Sequence, residues 1–423
     1  MKVLYVCRVF TGLESSLENG DWAPTGVPTI YKVMEGLAAS PHDVSFVLAA
    51  RGIGADYDTG WQARDDRDVT LSNFTRPLRL LAGEGRLPSW LGRFRGPFTT
   101  WRHIRELRRL YRELRPDLVY VDRAHVLAGA ILARRENARV LFRVMGVYPS
   151  MWDILRGTRL MQRIERWAYR APFAQAICTQ DGSGGEYWME EALNPATARV
   201  MMMNGCEYPP AAETPDPRLA AIPDDRVVVL FVGRLEWNKG AEPFVEAILA
   251  LPESHRDRIH AVVVGTGAQQ AMLKEKVAQA GAGTRITFID RLPHAQIRDA
   301  HARSDIYVSL NRLGQLSNAN LEVMSGGHCM VISDSRPENK VDIVTRDLIP
   351  EDAVVRVPTD DREVPALVEA LAALADDPVR RARLSENLKA AAAAFIPSWD
   401  DRVADELALI EDLCRAPGTR KAA

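Results

Sequence analysis

Val227-Val-Val-Leu-Phe-Val232 is an unbroken apolar run, and Gly233-Arg-Leu-Glu-Trp-Asn-Lys239 follows it without a gap. Such a β-branched run reads as a buried strand of a helix-covered parallel sheet. Residues just past the carboxyl end of such a strand lie where open α/β sheets bind ligands. There, Arg234 can grip two phosphate oxygens and Lys239 adds a point charge, although both can also be plain surface charges, one of them paired with Glu236. About eighty residues on, the apolar run 306–310 precedes Leu316-Ser-Asn-Ala-Asn-Leu-Glu322 and Gly326-Gly327. Ser317 or Asn318 is suited to cap a helix, whose free N–H groups favour a phosphate or sugar oxygen. Glu322, in the first turns, can accept from both ribose hydroxyls; it stands five residues past Ser317, so the capping-box spacing of three is not met. The two stretches together are expected to hold a diphosphate by charge and a ribose by its hydroxyls.

Outward from this clamp the pattern repeats. Short apolar runs at 3–7, 44–48, 118–121, 140–144, 174–178 and 200–203 alternate with helical spacing such as 30–39 and 161–169. After a break the alternation resumes at 227–232, 261–264, 286–289, 306–310 and 330–333. Alternation of this kind means βαβ units. The break, Tyr208-Pro-Pro-Ala-Ala-Glu-Thr-Pro-Asp-Pro217, holds four prolines, which a central strand or helix interior does not accept. The expected organisation is α/β: a doubly wound domain over 1–207, a linker over 208–218, a second such domain over 219–395, an amphipathic helix over 396–415 and a tail over 416–423.

The 423 residues suit two domains, and 47% hydrophobic with 26% charged residues suits a folded chain. A net charge of −2 argues against a general attraction to nucleic acid. Cys7, Cys178, Cys206, Cys329 and Cys414 are scattered, with no C-x-x-C pair, which points away from a disulfide framework or zinc site and towards a reducing cytoplasm. The N-terminal apolar run is too short for a signal peptide or a membrane span.

Other motifs carry less. Val264-Gly-Thr-Gly267 lacks the third glycine and the later acid of a dinucleotide fingerprint, so it reads as a tight turn. Met201-Met-Met-Asn-Gly205 reads as core strand and turn. Gly26 in Thr25-Gly-Val-Pro-Thr-Ile30 permits close approach of a ligand, and Pro28 suits a first helical turn. Asp122 and His125 follow the run 118–121; either can take a proton from an acceptor hydroxyl, or Asp122 can cap the next helix. Between 76 and 115 there are eleven arginines against three acids, with Phe74, Trp90, Phe94, Phe98 and Trp101 interleaved. That segment fits an anionic membrane surface, or equally a solvated helix face laced with i,i+4 pairs.

The stretches Phe231-Val-Gly-Arg-Leu-Glu-Trp-Asn-Lys-Gly240, Asn204-Gly-Cys-Glu207, Asp305-Ile-Tyr-Val-Ser309 and 316–327 give the chain a family likeness. It resembles the family-4 retaining glycosyltransferases, whose GT-B fold sets two Rossmann-like domains across a cleft. The resemblance spans nearly the whole chain, including the helix that begins at Trp399. It implies sugar transfer from a nucleotide-diphosphate sugar to a hydroxyl acceptor with retention and without a divalent metal. Arg234 and Lys239 would hold the donor diphosphate beside Gly233, and Glu322 the ribose. Ser317, Asn318, Ala319 and Asn320 would face phosphate and sugar, Gly26 the donor phosphate and acceptor, and Arg291-Leu292 the base.

Two departures stand out. The family's first glutamate, which touches the donor sugar, falls at Gly314, with Gln315 adjacent as a neutral substitute. A histidine near the donor sugar is replaced by Met145. These departures support a second reading, a weakly active nucleotide-sugar-binding partner subunit. A GT-B isomerase is a more distant third, and a dinucleotide-dependent oxidoreductase is disfavoured by the weak 264–267 motif. The sugar, base, acceptor and oligomeric state are not written in the sequence.

Overall fold

The computed structural model describes the chain except residues 11, 51–64, 84–94, 209–211, 213, 215 and 417–423. It divides into two compact units. The first comprises Met1–Thr179, Gly185–Met202 and Trp399–Ala423; the second comprises Gln180–Gly184 and Met203–Ser398.

The sheet of the first unit contains β1 (Lys2–Arg8), β2 (Asp43–Ala49), β3 (Arg67–Val69), β4 (Leu78–Leu81), β5 (Leu118–Asp122), β6 (Val140–Val144), β7 (Gln175–Thr179) and β8 (Ala198–Met202). Their order is β3-β4-β2-β1-β5-β6-β7-β8, parallel throughout except for β3 against β4. The second sheet holds β9 (Val227–Val232), β10 (Ile259–Val264), β11 (Ile286–Ile289), β12 (Ile306–Ser309), β13 (Met330–Ser333) and β14 (Val355–Val357), ordered β11-β10-β9-β12-β13-β14 and wholly parallel.

Both faces of each sheet are covered, which is why the strands read as unbroken apolar runs rather than alternating ones. In β1, Leu4 and Val6 enter one core while Val3, Tyr5 and Cys7 enter another. In β9, Val229 and Phe231 face one core while Val228 and Leu230 face the other. The strand order reverses between β1 and β5 in one sheet and between β9 and β12 in the other. Those reversals are the switch points at which doubly wound sheets open a crevice beyond their carboxyl ends.

The helix Trp399–Arg415 belongs to the first unit. Ile410 is buried there, and Val403 and Leu407 pack beside the helix Pro28–Ala39. A side chain on Gly36 would bring a Cβ to 2.5 Å from Val403, so glycine sets the closeness of the two helices. The helix also carries charge into the core. Glu406 accepts from the Tyr120 hydroxyl at 2.6 Å and pairs with Arg402 at 2.5 Å, all three groups being buried. Burial pushes the Glu406 carboxyl up, but the charges of Arg143 and Arg402 outweigh it and hold the group below the usual range. Arg143 is buried too and donates to Thr179 Oγ1 at 2.8 Å.

The expected boundaries shift in two places. The first unit ends at Met202 rather than 207, and the segment after β7, Gln180–Gly184, is counted with the second unit. Of the linker expected over 208–218, residues 209–211, 213 and 215 lie outside the described residues, as does 417–423 of the expected tail. The remainder of that linker is counted with the second unit, where Asp216 caps the short helix Pro217–Ala220 through Arg218 N–H. The strands β3, β4 and β14 were not expected; each has three or four residues and lies at or beside a sheet edge, too short to show a period.

Candidate functional site

The chain leaves β9 alongside the end of β10. Gly233 N–H donates to Val264 O at 3.0 Å, and Leu235 N–H donates to Thr266 O at 2.8 Å. The glycines of Val264-Gly-Thr-Gly267 make this approach feasible: a Cβ on Gly265 would lie 1.9 Å from Gly233 O, and one on Gly267 2.4 Å from Leu235 O. The motif therefore supports the loop that carries Arg234. The turn Trp237–Lys239 then closes on Gly240, whose φ of 73° and contact with Leu310 both favour glycine.

Arg234 is half exposed and pairs with Glu236 at 3.0 Å. Lys239 is more enclosed. Burial, followed by the nearby charge of Arg234, lowers its pKa, against the opposing pull of Asp181 and Glu236. A lysine whose charge is disfavoured by burial and by a neighbouring arginine marks a place that an anion would relieve.

On the other side of the switch point, β12 leads into the loop 310–316 and the helix Asn318–Gly326. Ser317 occupies the cap position without a side-chain bond. The first intrahelical bond is Leu321 N–H to Ser317 O at 2.9 Å, so the N–H groups of Asn318, Ala319 and Asn320 have no backbone acceptor among the described residues. The side chains here hold the loop. Asn318 accepts from Asn204 at 2.7 Å, and buried Asn320 donates to Ser309 Oγ and to Gln315 O. Gln315 corrects the expectation placed on it: it is fully buried, its amide donating to Asn311 O and accepting from Asn320, so it offers a sugar nothing.

Glu322 stands one turn into the helix and meets His294 Nε2 at 3.0 Å. Burial raises its carboxyl pKa, and His294 partly counters this. Past β11, Arg291 is exposed whereas Leu292 is core, so only the former presents its side chain outward.

The loop Gln180–Gly184 lies directly over Gly314, where the family places a glutamate. Gly314 has φ 122°, and a Cβ there would fall 2.2 Å from Asp181 O. Leu316 N–H donates to Asp181 O at 3.1 Å, and Asp342 N–H to Gly182 O at 2.7 Å. Asp342 is buried in left-handed backbone, φ 56°, and its Oδ1 accepts Gln315 N–H at 2.7 Å. Two expected results follow from this crossing. Reinstating the acid, Gly314→Glu, destabilises the protein by about 2 kcal/mol or more, through strain and backbone collision, and does not raise activity; denaturant midpoints and turnover check it. Asp342 is the second case. Burial pushes its carboxyl up to about 8, with Asp181 adding to the rise. The unfolded chain ionises near 4 and the folded one near 8, so stability falls as pH rises through that interval. Asp342→Asn, which keeps an acceptor and tolerates left-handed backbone, is expected to raise Tm over the parent at pH 8 and to change it little at pH 4; thermal unfolding at both pH values decides it.

In the first unit, Asp122 ends β5 and is a cap, as one of its two sequence readings had it. Its Oδ1 accepts from His125 N–H at 3.1 Å and meets His125 Nδ1 at 2.6 Å, while Oδ2 accepts Arg8 N–H at 2.9 Å. Both side chains are largely buried, which leaves neither poised as a free base. Gly26 is exposed, with φ 98°, before the helix Pro28–Ala39. Met145 packs beside the core around Tyr5 and Leu141. Within the basic segment 76–115, Arg86, Trp90, Arg93 and Phe94 lie outside the described residues. In the helix Arg95–Leu114, Arg109 pairs with Glu106 and Glu113, and Arg108 and Arg112 pair with Glu136, so those charges are partly spent at home.

Sequence reasoning missed His294, Asp181 and Asp342. His294 meets Glu322 from a separate helix, and Asp181 and Asp342 meet at a loop crossing, neither of which local spacing encodes.

The description "Glycosyl transferases group 1" matches residues 214–391, and "Glycosyl transferase 4-like domain" matches 26–205. The chain is 29% identical over 164 residues to the alpha-D-kanosaminyltransferase of Streptomyces kanamyceticus, covering 39% of this chain and 40% of that protein. The chain spans about half the length, or less, of this and other curated relatives that it matches. Among solved structures it is similar to sucrose-phosphate synthase from Thermosynechococcus elongatus, with a TM-score of 0.72, 18% identity and coverage of 98% and 100% of the two chains. It is also similar to the HepE protein of Anabaena solved with UDP-glucose, with a TM-score of 0.63, 15% identity and coverage of 97% and 100%. With matches over both units and a backbone shared along its length, the chain belongs to the glycosyl transferases group 1, family-4-like and of GT-B fold.

Proposed function

We propose that the protein transfers a sugar from a nucleotide-diphosphate sugar to a hydroxyl acceptor with retention at the anomeric carbon and without a divalent metal. The observation that carries this reading is the pairing of Arg234 and Lys239, beyond β9, with the open N–H groups of 318–320, beyond β12, at one switch point. As the bond from sugar to phosphate breaks, charge gathers on the leaving diphosphate. Fixed cations and helix N–H groups stabilise that charge more than the ground state. Glu322, oriented by His294, accepts the ribose hydroxyls. The leaving phosphate takes the acceptor proton on the same face of the sugar. The UDP-glucose bound by the Anabaena neighbour makes uridine donors the first to try.

The test is incubation with UDP-, GDP-, ADP- and dTDP-sugars, with and without EDTA, following nucleotide release and the anomeric coupling of the product. An inverted product overturns retention, and loss of turnover in EDTA overturns metal independence. Nucleotide-sugar binding without transfer or hydrolysis favours the partner-subunit reading, for which Gly314 and Met145 are the motive. We place the protein in a reducing cytoplasm, consistent with five free cysteines, and keep the basic segment 76–115 as a candidate contact with the inner membrane face. Among the described residues, no helix is long and apolar enough to cross a membrane.

A further inference from the structure

We propose that Asp181 is a specificity-determining residue, supplying the carboxylate that accepts a hydrogen bond from a hydroxyl of the donor sugar. This rests on the nucleotide-sugar reading above.

The argument begins with what the neighbouring groups are unable to do. Gly314 has no side chain, and the crossing loop leaves no room for one. The Gln315 amide is buried and occupied, and Asp342 is buried with Oδ1 on Gln315 N–H. Asp181 is different. The residue keeps partial exposure, while burial pushes its carboxyl up to about 6 against the opposing pull of the Ser183 hydrogen bonds and Lys239, so it is ionised at neutral pH. Its Oδ1 accepts from both Ser183 N–H, at 3.0 Å, and Ser183 Oγ, which fixes the carboxylate. Its Oδ2 has no hydrogen bond among the described residues and is not among the sealed, unpartnered atoms. A carboxylate locked through one oxygen and open at the other is a preorganised acceptor.

Its charge is felt at Lys239, and the charge felt at Glu322 is that of His294. The site thus has one acid associated with the diphosphate cations and another with the opposite helix. A nucleotide sugar has the matching order: ribose hydroxyls, diphosphate, sugar hydroxyls. With Glu322 assigned to ribose, Asp181 is left to the sugar. Asp342 is a second acid close enough for the charge of Asp181 to reach it, with Arg336 near Asp342. A site built to hydrogen-bond a substrate hydroxyl rejects an analogue that lacks it.

The experiment uses the full chain and the donor identified by the screen above, with its monodeoxy analogues. Asp181→Asn is expected to lower kcat/KM for the donor by about 10- to 100-fold. It should change the affinity for the bare nucleoside diphosphate by less than about threefold. One deoxy donor should lose a similar factor with the parent protein and lose little more with the variant, because both changes remove one contact. A merely structural role would not produce that non-additivity. Equal losses for nucleotide and nucleotide sugar, or fully additive losses for every deoxy donor, overturn the proposal while leaving the transferase reading intact. Failure of the parent protein to bind any nucleotide or nucleotide sugar overturns the reading beneath it. Should Asp181→Asn not fold, Ser183→Ala, which frees the held oxygen, is judged by the same cycle.

Discussion

Lys239→Ala is expected to lower kcat by about 10²- to 10³-fold, the range for removing one preorganised charge from a developing anion. Lys239 is held by a short turn that ends on a glycine and is enclosed enough to feel burial before any other influence. Its charge is therefore unscreened at the place where the leaving diphosphate gains its own. Arg234 is half exposed and shared with Glu236, so Arg234→Ala should cost less, about 10- to 100-fold, and act more on donor KM. Steady-state kinetics at saturating acceptor separates the two. pH adds a check. The lowered Lys239 pKa means that the free protein loses this charge below the ordinary lysine range, so kcat/KM should fall on the alkaline side early, and Lys239→Arg should remove that limb. Turnover unchanged in both alanine variants would exclude the proposed mechanism.

Glu406→Gln carries the largest expected loss of stability, about 3–5 kcal/mol. The amide keeps the shape and leaves two buried guanidinium groups, Arg143 and Arg402, without the carboxylate that offsets them. Because the folded Glu406 pKa lies below the unfolded one, its stabilisation is fully present above the ordinary carboxylate range and fades as pH falls through the lower value. The difference in unfolding midpoint between parent and variant should therefore shrink in acid. Replacing Arg143, Arg402 and Glu406 together by apolar residues of similar volume should recover most of the loss, since the penalty arises from unpaired charge. Urea unfolding at pH 7 and pH 4 measures both statements.

The parts legible from sequence were those written in local order. The run 227–232 names β9 because a strand buried on both faces must be apolar at every residue. The loop after it and the helix opening at 318 follow from composition and spacing. What was not legible depends on distant backbone meeting backbone. Gln315 reads as a sugar-facing amide until Asn311 and Asn320 are seen to enclose it. Gly314 reads as a lost glutamate until Asp181 and Gly182 are seen lying across it. Asp342 takes a left-handed conformation that no neighbouring residue announces. Edge strands such as β3, with its exposed Arg67 and Asp68, bury too little to leave a pattern.

The helix Trp399–Arg415 gives the molecule an order of assembly. The unit that is translated first receives its last element only after residues 203–398 have been made. Until then Tyr120 lacks the carboxylate it binds, Arg143 lacks its countercharge, and the surface destined for Ile410 faces water. A chain cut after residue 398 would thus hold every residue of the second unit beside a first unit that lacks its last helix. The first unit would be the part exposed to chaperones and proteases, although its sequence has waited longest.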